Sequence, residues 1–103
     1  MKLVEKMGSN FGADNKEIWS EKTILNDIDD YLANNRNINE RDEFGRTPLM
    51  LTDSPKIINK LIENGANTEA IDYQNHSVFY HAKANGFTNL INALVNNLSK
   101  QRG

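Results

Sequence analysis

The chain contains no cysteine, so disulfides, zinc–thiolate clusters and thiol nucleophiles are all excluded and the fold must be held by packing alone. It has only two prolines and one tryptophan. No apolar run approaches the roughly 18 residues of a membrane-spanning helix. The opening residues Met1-Lys2-Leu3-Val4-Glu5-Lys6-Met7 carry a charge every few positions and lack the apolar stretch of a secretory signal. A cytoplasmic location away from membranes is therefore expected. With 103 residues there is room for one domain and none for a two-domain enzyme.

Strong charge of either sign is also missing. The net charge is −2, which disfavours direct nucleic-acid binding, since that requires a positive surface. The distribution is uneven. Residues 23–43 hold Asp27, Asp29, Asp30, Glu40, Asp42 and Glu43 against Arg36 and Arg41, a local excess of acid that would steer a basic partner toward the chain.

Catalytic and cofactor signatures are absent as well. No nucleophile elbow, phosphate loop or dinucleotide fingerprint occurs. His76 and His81 are the only imidazoles; their spacing matches no metal motif, and ordinary loop and helix roles are expected for both. The acidic pairs Asp29-Asp30 and Asp42-Glu43 read as solvated charge. The expectation is a non-enzyme with no cofactor and no metal.

What is present is a repeat. Sliding the chain by 30 residues lays Ile28, Tyr31, Leu32, Asn34, Asn35 and Asn37 over Ile58, Leu61, Ile62, Asn64, Gly65 and Asn67, and Asp42, Thr47 and Leu49 over Asp72, Ser77 and Phe79. A further slide of 33 puts Ile58, Leu61 and Ile62 over Ile91, Leu94 and Val95. A period of this size marks stacked supersecondary units. Within each unit the signals are two short helices, a tight turn and an extended loop. Thr47-Pro48 and Ser54-Pro55 read as cap and first helical residue. Residues 57, 58, 61 and 62 form an amphipathic stripe closed by Gly65, with Asn35 in the matching left-handed position. Residues 20–34 read as an outer helix with Ile24, Leu25, Ile28, Tyr31 and Leu32 inward. Ser77 opens a helix containing Val78, Phe79 and Ala82 that Gly86 closes, and Thr88 caps a last helix with Leu90, Ile91, Leu94, Val95 and Leu98 on one face. Residues 1–15 show no period and read as a loosely ordered lead-in, partly packed through Phe11, while Trp19 reads as a core residue over the open end of the stack.

The segment Asp42-Glu-Phe-Gly45-Arg46-Thr47-Pro48-Leu49-Met50, continuing to Leu61-Ile62-Glu-Asn-Gly65-Ala66-Asn67, resembles an ankyrin repeat in both its Asp-x-x-Gly-x-Thr-Pro-Leu start and its Gly-Ala-Asn finish. The next unit keeps Asp72, Ser77, Ala82 and Gly86, with Val78 for the proline and Asn75 for the turn glycine; the first keeps only its second helix and the Asn35-to-Asn39 turn. The resemblance implies an all-α fold, a short solenoid of stacked helix-turn-helix units joined by extended hairpin-like loops. Its expected divisions are 1–19 as lead-in or N-terminal cap, 20–41 as a partial repeat, 42–71 as a shortened repeat, and 72–103 as a repeat with C-terminal cap. The polar residues Asn96 to Arg102 suit such a cap. Met50 and Tyr80 stand where the family has a histidine that joins neighbouring repeats, so apolar packing is expected to join them here.

The resemblance also implies a protein partner, held by loop tips and the edge of each first helix. Position by position this points to Arg41, Glu43, Phe44 and Arg46 in one finger and Ile71, Tyr73, Gln74 and His76 in the next, a mixture of aromatics, arginine and acid that suits an interface. The alternative is that Phe44 and Tyr73 fold over their own turns and shield the seam. A short acidic chain of this kind resembles the immunity proteins that mask bacterial toxins, which implies a basic toxin domain as partner, with a monomer alone and a heterodimer in complex. The competing expectations are a general adaptor or effector module, and a structural subunit that self-associates.

Overall fold

Each helix begins and ends on residues whose chemistry demands it. The computed structural model describes residues 2–9 and 19–102, with side chains for 2–8 and 19–97. Five α-helices are described: α1 (Leu3–Ser9), α2 (Glu21–Ala33), α3 (Pro55–Glu63), α4 (Val78–Asn85) and α5 (Thr88–Arg102), with a 3-10 turn at Pro48–Leu51. None is long and apolar enough to cross a membrane. The hydroxyls of Ser20, Ser54 and Ser77 accept the amides of Thr23, Ile57 and Tyr80 at 3.2, 3.3 and 3.0 Å, each satisfying an otherwise orphaned helical donor. Helices α2, α3 and α4 end alike. Asn35, Gly65 and Gly86 adopt φ of 56°, 97° and 69°, and the next residues, Arg36, Ala66 and Phe87, donate back to Tyr31, Leu61 and Ala82 at 2.8 to 2.9 Å, the closing bond of a Schellman motif.

These elements stack in two layers. Helix α1, the 3-10 turn and α4 lie side by side in one, and α2, α3 and α5 in the other, with α1 against α2 and α4 against α5. The core between them is apolar and shared by every unit: Leu3, Val4 and Met7 from α1, Ile24 and Ile28 from α2, Leu49 and Met50 from the turn, Ile58 and Leu61 from α3, Val78 and Ala82 from α4, Leu90 and Leu94 from α5.

Four sequence expectations change. The lead-in is not irregular over its first part, because α1 buries Leu3, Val4 and Met7 on one stripe and stands where the first unit's missing inner helix belongs. Its anchor is the buried Leu3 amide, which donates to the Tyr31 hydroxyl at 2.7 Å. Phe11 lies outside the described residues, whereas Trp19 packs against the core as expected, with Lys6 over its ring at 5.0 Å.

The inner element of the central unit is a single 3-10 turn of four residues rather than a helix, since Ser54-Pro55 starts the next helix too soon for more. Thr47 does not cap it through its side chain: the buried hydroxyl has no partner among the described residues, and the Thr47 amide turns instead to the Met50 sulfur at 3.4 Å. Met50 is fully buried.

The cap of α5 comes from elsewhere in the chain. Thr88 is its first residue, and the Asp53 carboxylate of the shortened link accepts the Leu90 amide at 3.1 Å while the Asp53 carbonyl accepts from Asn89 at 3.1 Å. The carboxylate at the positive end of α5 is favourable in its own right. Finally, Phe79 and Val95 face outward, on a shallow hollow beside Thr68 and Leu94 in the case of Phe79, although the repeat register aligns them with the buried Leu49 and the inward-reading Ile62.

Candidate functional site

Two finger loops, 41–46 and 71–77, share one construction. Asp42 Oδ1 accepts the amides of Phe44 and Arg46, both at 2.9 Å, and the Asp42 amide donates to the Arg46 carbonyl at 3.0 Å. Thirty residues on, Asp72 Oδ1 accepts the amides of Gln74 and His76 at 2.8 and 2.9 Å, and its amide donates to the His76 carbonyl at 2.9 Å. Short polar side chains that bond their own downstream amides make such tight turns. The tips then need positive φ, met by Gly45 at 82° and Asn75 at 65°.

The fingers are tied edge to edge. The Tyr73 amide donates to the Phe44 carbonyl at 3.1 Å. Arg41 donates to the Gly45 carbonyl at 2.8 Å and to the Ile71 carbonyl of the next finger. Arg41 thus staples the fingers, and Ile71 pairs with Ser77 in an antiparallel bridge, while both residues stay exposed.

The other six, Glu43, Phe44, Arg46, Tyr73, Gln74 and His76, meet Asp72 and His81 around one groove of about 380 Å³. Phe44 is 57% exposed and Tyr73 68%, so both side chains stand largely in solvent. Tyr73 leans across the bare Gly45 of the neighbouring finger, and Arg46 covers the Phe44 ring at 5.0 Å while pairing with Asp42 Oδ2 at 2.7 Å. A second hollow of about 330 Å³ continues past Phe44 and Arg46 to Val4, Glu5 and Gly8 of α1. Sequence reasoning missed this α1 wall, because α1 carries no trace of the repeat.

It also missed Asp72 and His81. Asp72 Oδ2 lies 2.8 Å from His81 Nε2 and 3.7 Å from His76 Nδ1. Burial alone would raise the Asp72 carboxyl, but the amides of His76 and Gln74 and the His81 imidazole outweigh it and hold the group below its ordinary value, as bonds to the charged form must.

Four of the six acids of residues 23–43 are paired with cations. Asp27 pairs with Lys6, Asp29 with Lys60 at 2.6 Å, Glu40 with Arg36 at 3.7 Å and Asp42 with Arg46 at 2.7 Å. Three of those cations come from outside residues 23–43, which is why a window count overstated the acidity, and Asp42 is a turn-forming group rather than a solvated charge. Asp30 and Glu43 are what remains exposed outside these pairs.

No protein-family profile matches the chain. Among solved structures, the fold is similar to the ankyrin repeat domain of Bcl-3, described as a unique member of the IkappaB protein family, with a TM-score of 0.60 and 26% identity. The match covers 74% of this chain and 33% of that one, so the chain spans about a third of the domain it resembles. Stacked two-layer units, Asp-built fingers and left-handed helix ends are thus one architecture, and the described residues form an ankyrin-repeat array.

Proposed function

We propose that this chain is a non-catalytic binding module that holds a protein partner in the groove between its two finger loops. The observation that carries this is the exposure of Phe44 and Tyr73 on a hydrogen-bonded frame: large aromatics held out in solvent beside Arg46 and Glu43 have the composition of an interface centre. A rigid frame also lowers the entropy lost on binding.

The narrower reading is toxin immunity, in which the partner is a basic toxin domain masked in a one-to-one complex. With four of the six acids of residues 23–43 paired internally, its electrostatic support rests chiefly on Glu43 at the groove and Asp30 on α2, so recognition rests on the aromatics more than on long-range steering. The test is the combined variant Glu43→Ala, Phe44→Ala, Tyr73→Ala, whose side chains are exposed and whose fold should persist. Affinity for the partner is expected to fall by roughly 30- to 1,000-fold, in line with about 1–2 kcal/mol for each of the two aromatic anchors, and a protected cell should lose protection. Unchanged binding with intact circular dichroism would refute the groove. Lost binding to a partner without toxicity would keep the groove and remove the immunity role.

A further inference from the structure

We propose that Asp72, His76 and His81 form a site for one divalent transition-metal ion of the zinc type, with its remaining coordination position open to the groove. Each of the three side chains offers one ligand atom, and these atoms all lie within 4.8 Å of one another. A tetrahedral zinc ion with arms near 2.0–2.1 Å sets its donors about 3.3 Å apart. The two spacings from Asp72 Oδ2, 2.8 Å to His81 and 3.7 Å to His76, bracket that value.

A plain histidine–aspartate hydrogen bond explains only half of this. It accounts for His81 at 2.8 Å, but His76 Nδ1 at 3.7 Å is beyond hydrogen-bond reach and still lies on the same oxygen. Both imidazoles of the chain thus converge on one carboxylate atom.

The surroundings suit a ligand set. Asp72 is buried, and its other oxygen is fixed by two backbone amides at 2.8 and 2.9 Å, the kind of outer support that orients a metal-binding carboxylate. The His76 ring stacks on Tyr80 with centroids 4.0 Å apart, and His81 meets Tyr80 edge-on at 5.9 Å, so both rings are restrained. Imidazole and carboxylate together select zinc and its neighbours over magnesium or calcium. His76, His81 and Asp72 form one wall of the groove that Tyr73 and Phe44 complete. Three protein ligands with a free position leave room for water or a donor from a bound protein.

The sequence concealed this site because its parts come from a turn start, a loop and a helix. Asp72 and His76 are four apart without sharing a helix, and His81 reaches back from α4.

The test is a titration of the untagged full chain with ZnCl₂ in a non-coordinating buffer, repeated with Co²⁺ for its visible absorption. One equivalent is expected to bind, with Co²⁺ bands of four-coordinate intensity and a rise in melting temperature as bound ion stabilises the folded state. His76→Ala and His81→Ala should each weaken binding about a hundredfold, no less than the loss of an outer-shell partner costs; His76→Gln and His81→Gln serve if an alanine variant fails to fold. Absence of stoichiometric binding, or binding kept in the double histidine variant, would overturn the site. Either result leaves the partner groove standing, since Phe44 and Tyr73 do not depend on the ion.

Discussion

Gly45→Ala is expected to destabilise the protein by about 3 kcal/mol and to lower its melting temperature by ~15 °C, at the size-dependent rate for a domain of this length. Two costs add. At φ of +82° a side chain sits in the left-handed region at a penalty of about 1–2 kcal/mol. The new Cβ would also lie 2.6 Å from Tyr73 Cδ1 and 2.7 Å from both Tyr73 Cγ and the Tyr73 backbone nitrogen. The ring can swing aside, but the nitrogen cannot move without stretching its 3.1 Å bond to the Phe44 carbonyl, and relief of such overpacking costs a further ~1–3 kcal/mol. Gly65 and Gly86 make the control. Both have positive φ, but an added Cβ would find nothing within 4 Å at either, so alanine there should cost only about 1 kcal/mol. Urea unfolding of the three variants separates the clash from the strain; equal losses at all three would contradict the packing of Tyr73 on Gly45.

Asp72→Ala is expected to cost about 3 kcal/mol, because it strands the amides of Gln74 and His76 and removes the acceptor of His81, and buried groups left unpaired cost about 1–3 kcal/mol each. Asp72→Asn retains an oxygen for the two amides and should lose about 1 kcal/mol. The same carboxylate makes stability depend on pH. Its folded value is held below the ordinary one, so its contribution is complete above the unfolded value of about 3.9 that is typical for aspartate, and is lost as pH falls through the lower folded value. The wild type should therefore lose stability below about pH 4 more steeply than Asp72→Asn does. Parallel acid titrations of the two unfolding midpoints would contradict this.

Much of the fold was legible because repeat period, caps and left-handed ends are local. Asn35 and Gly65, thirty apart, are read from residue type alone, and so are Ser54 and Ser77 as caps. Helix α1 was not legible. Its seven residues are too few to show a period, and it is stabilised by burial against the 3-10 turn and by Tyr31 rather than by propensity. The Asp53 cap of α5 escaped for a related reason, since no sequence rule joins a link to a helix start 37 residues away. At the site, the fingers were legible and their chemistry only in part. The repeat pointed to Glu43, Phe44, Arg46, Tyr73, Gln74 and His76, which line one groove, but gave no sign that the exposed Arg41 also bonds two backbone carbonyls. Asp72 reads as a turn former because turn formers and metal ligands share their residue types, and only the direction of His81 distinguishes the two. Charge counted along the chain failed for a general reason: ion pairs form between elements, so Lys6 and Lys60 neutralise Asp27 and Asp29 from other helices.

The most direct test of the binding account is amide hydrogen exchange of the full chain with and without its partner. Protection is predicted at residues 43–46 and 73–76 and along α1, the walls of the continuous groove, with little change over the exposed outer residues of α3. Protection confined to the outer layer of α2, α3 and α5, with the two fingers unchanged, would contradict it.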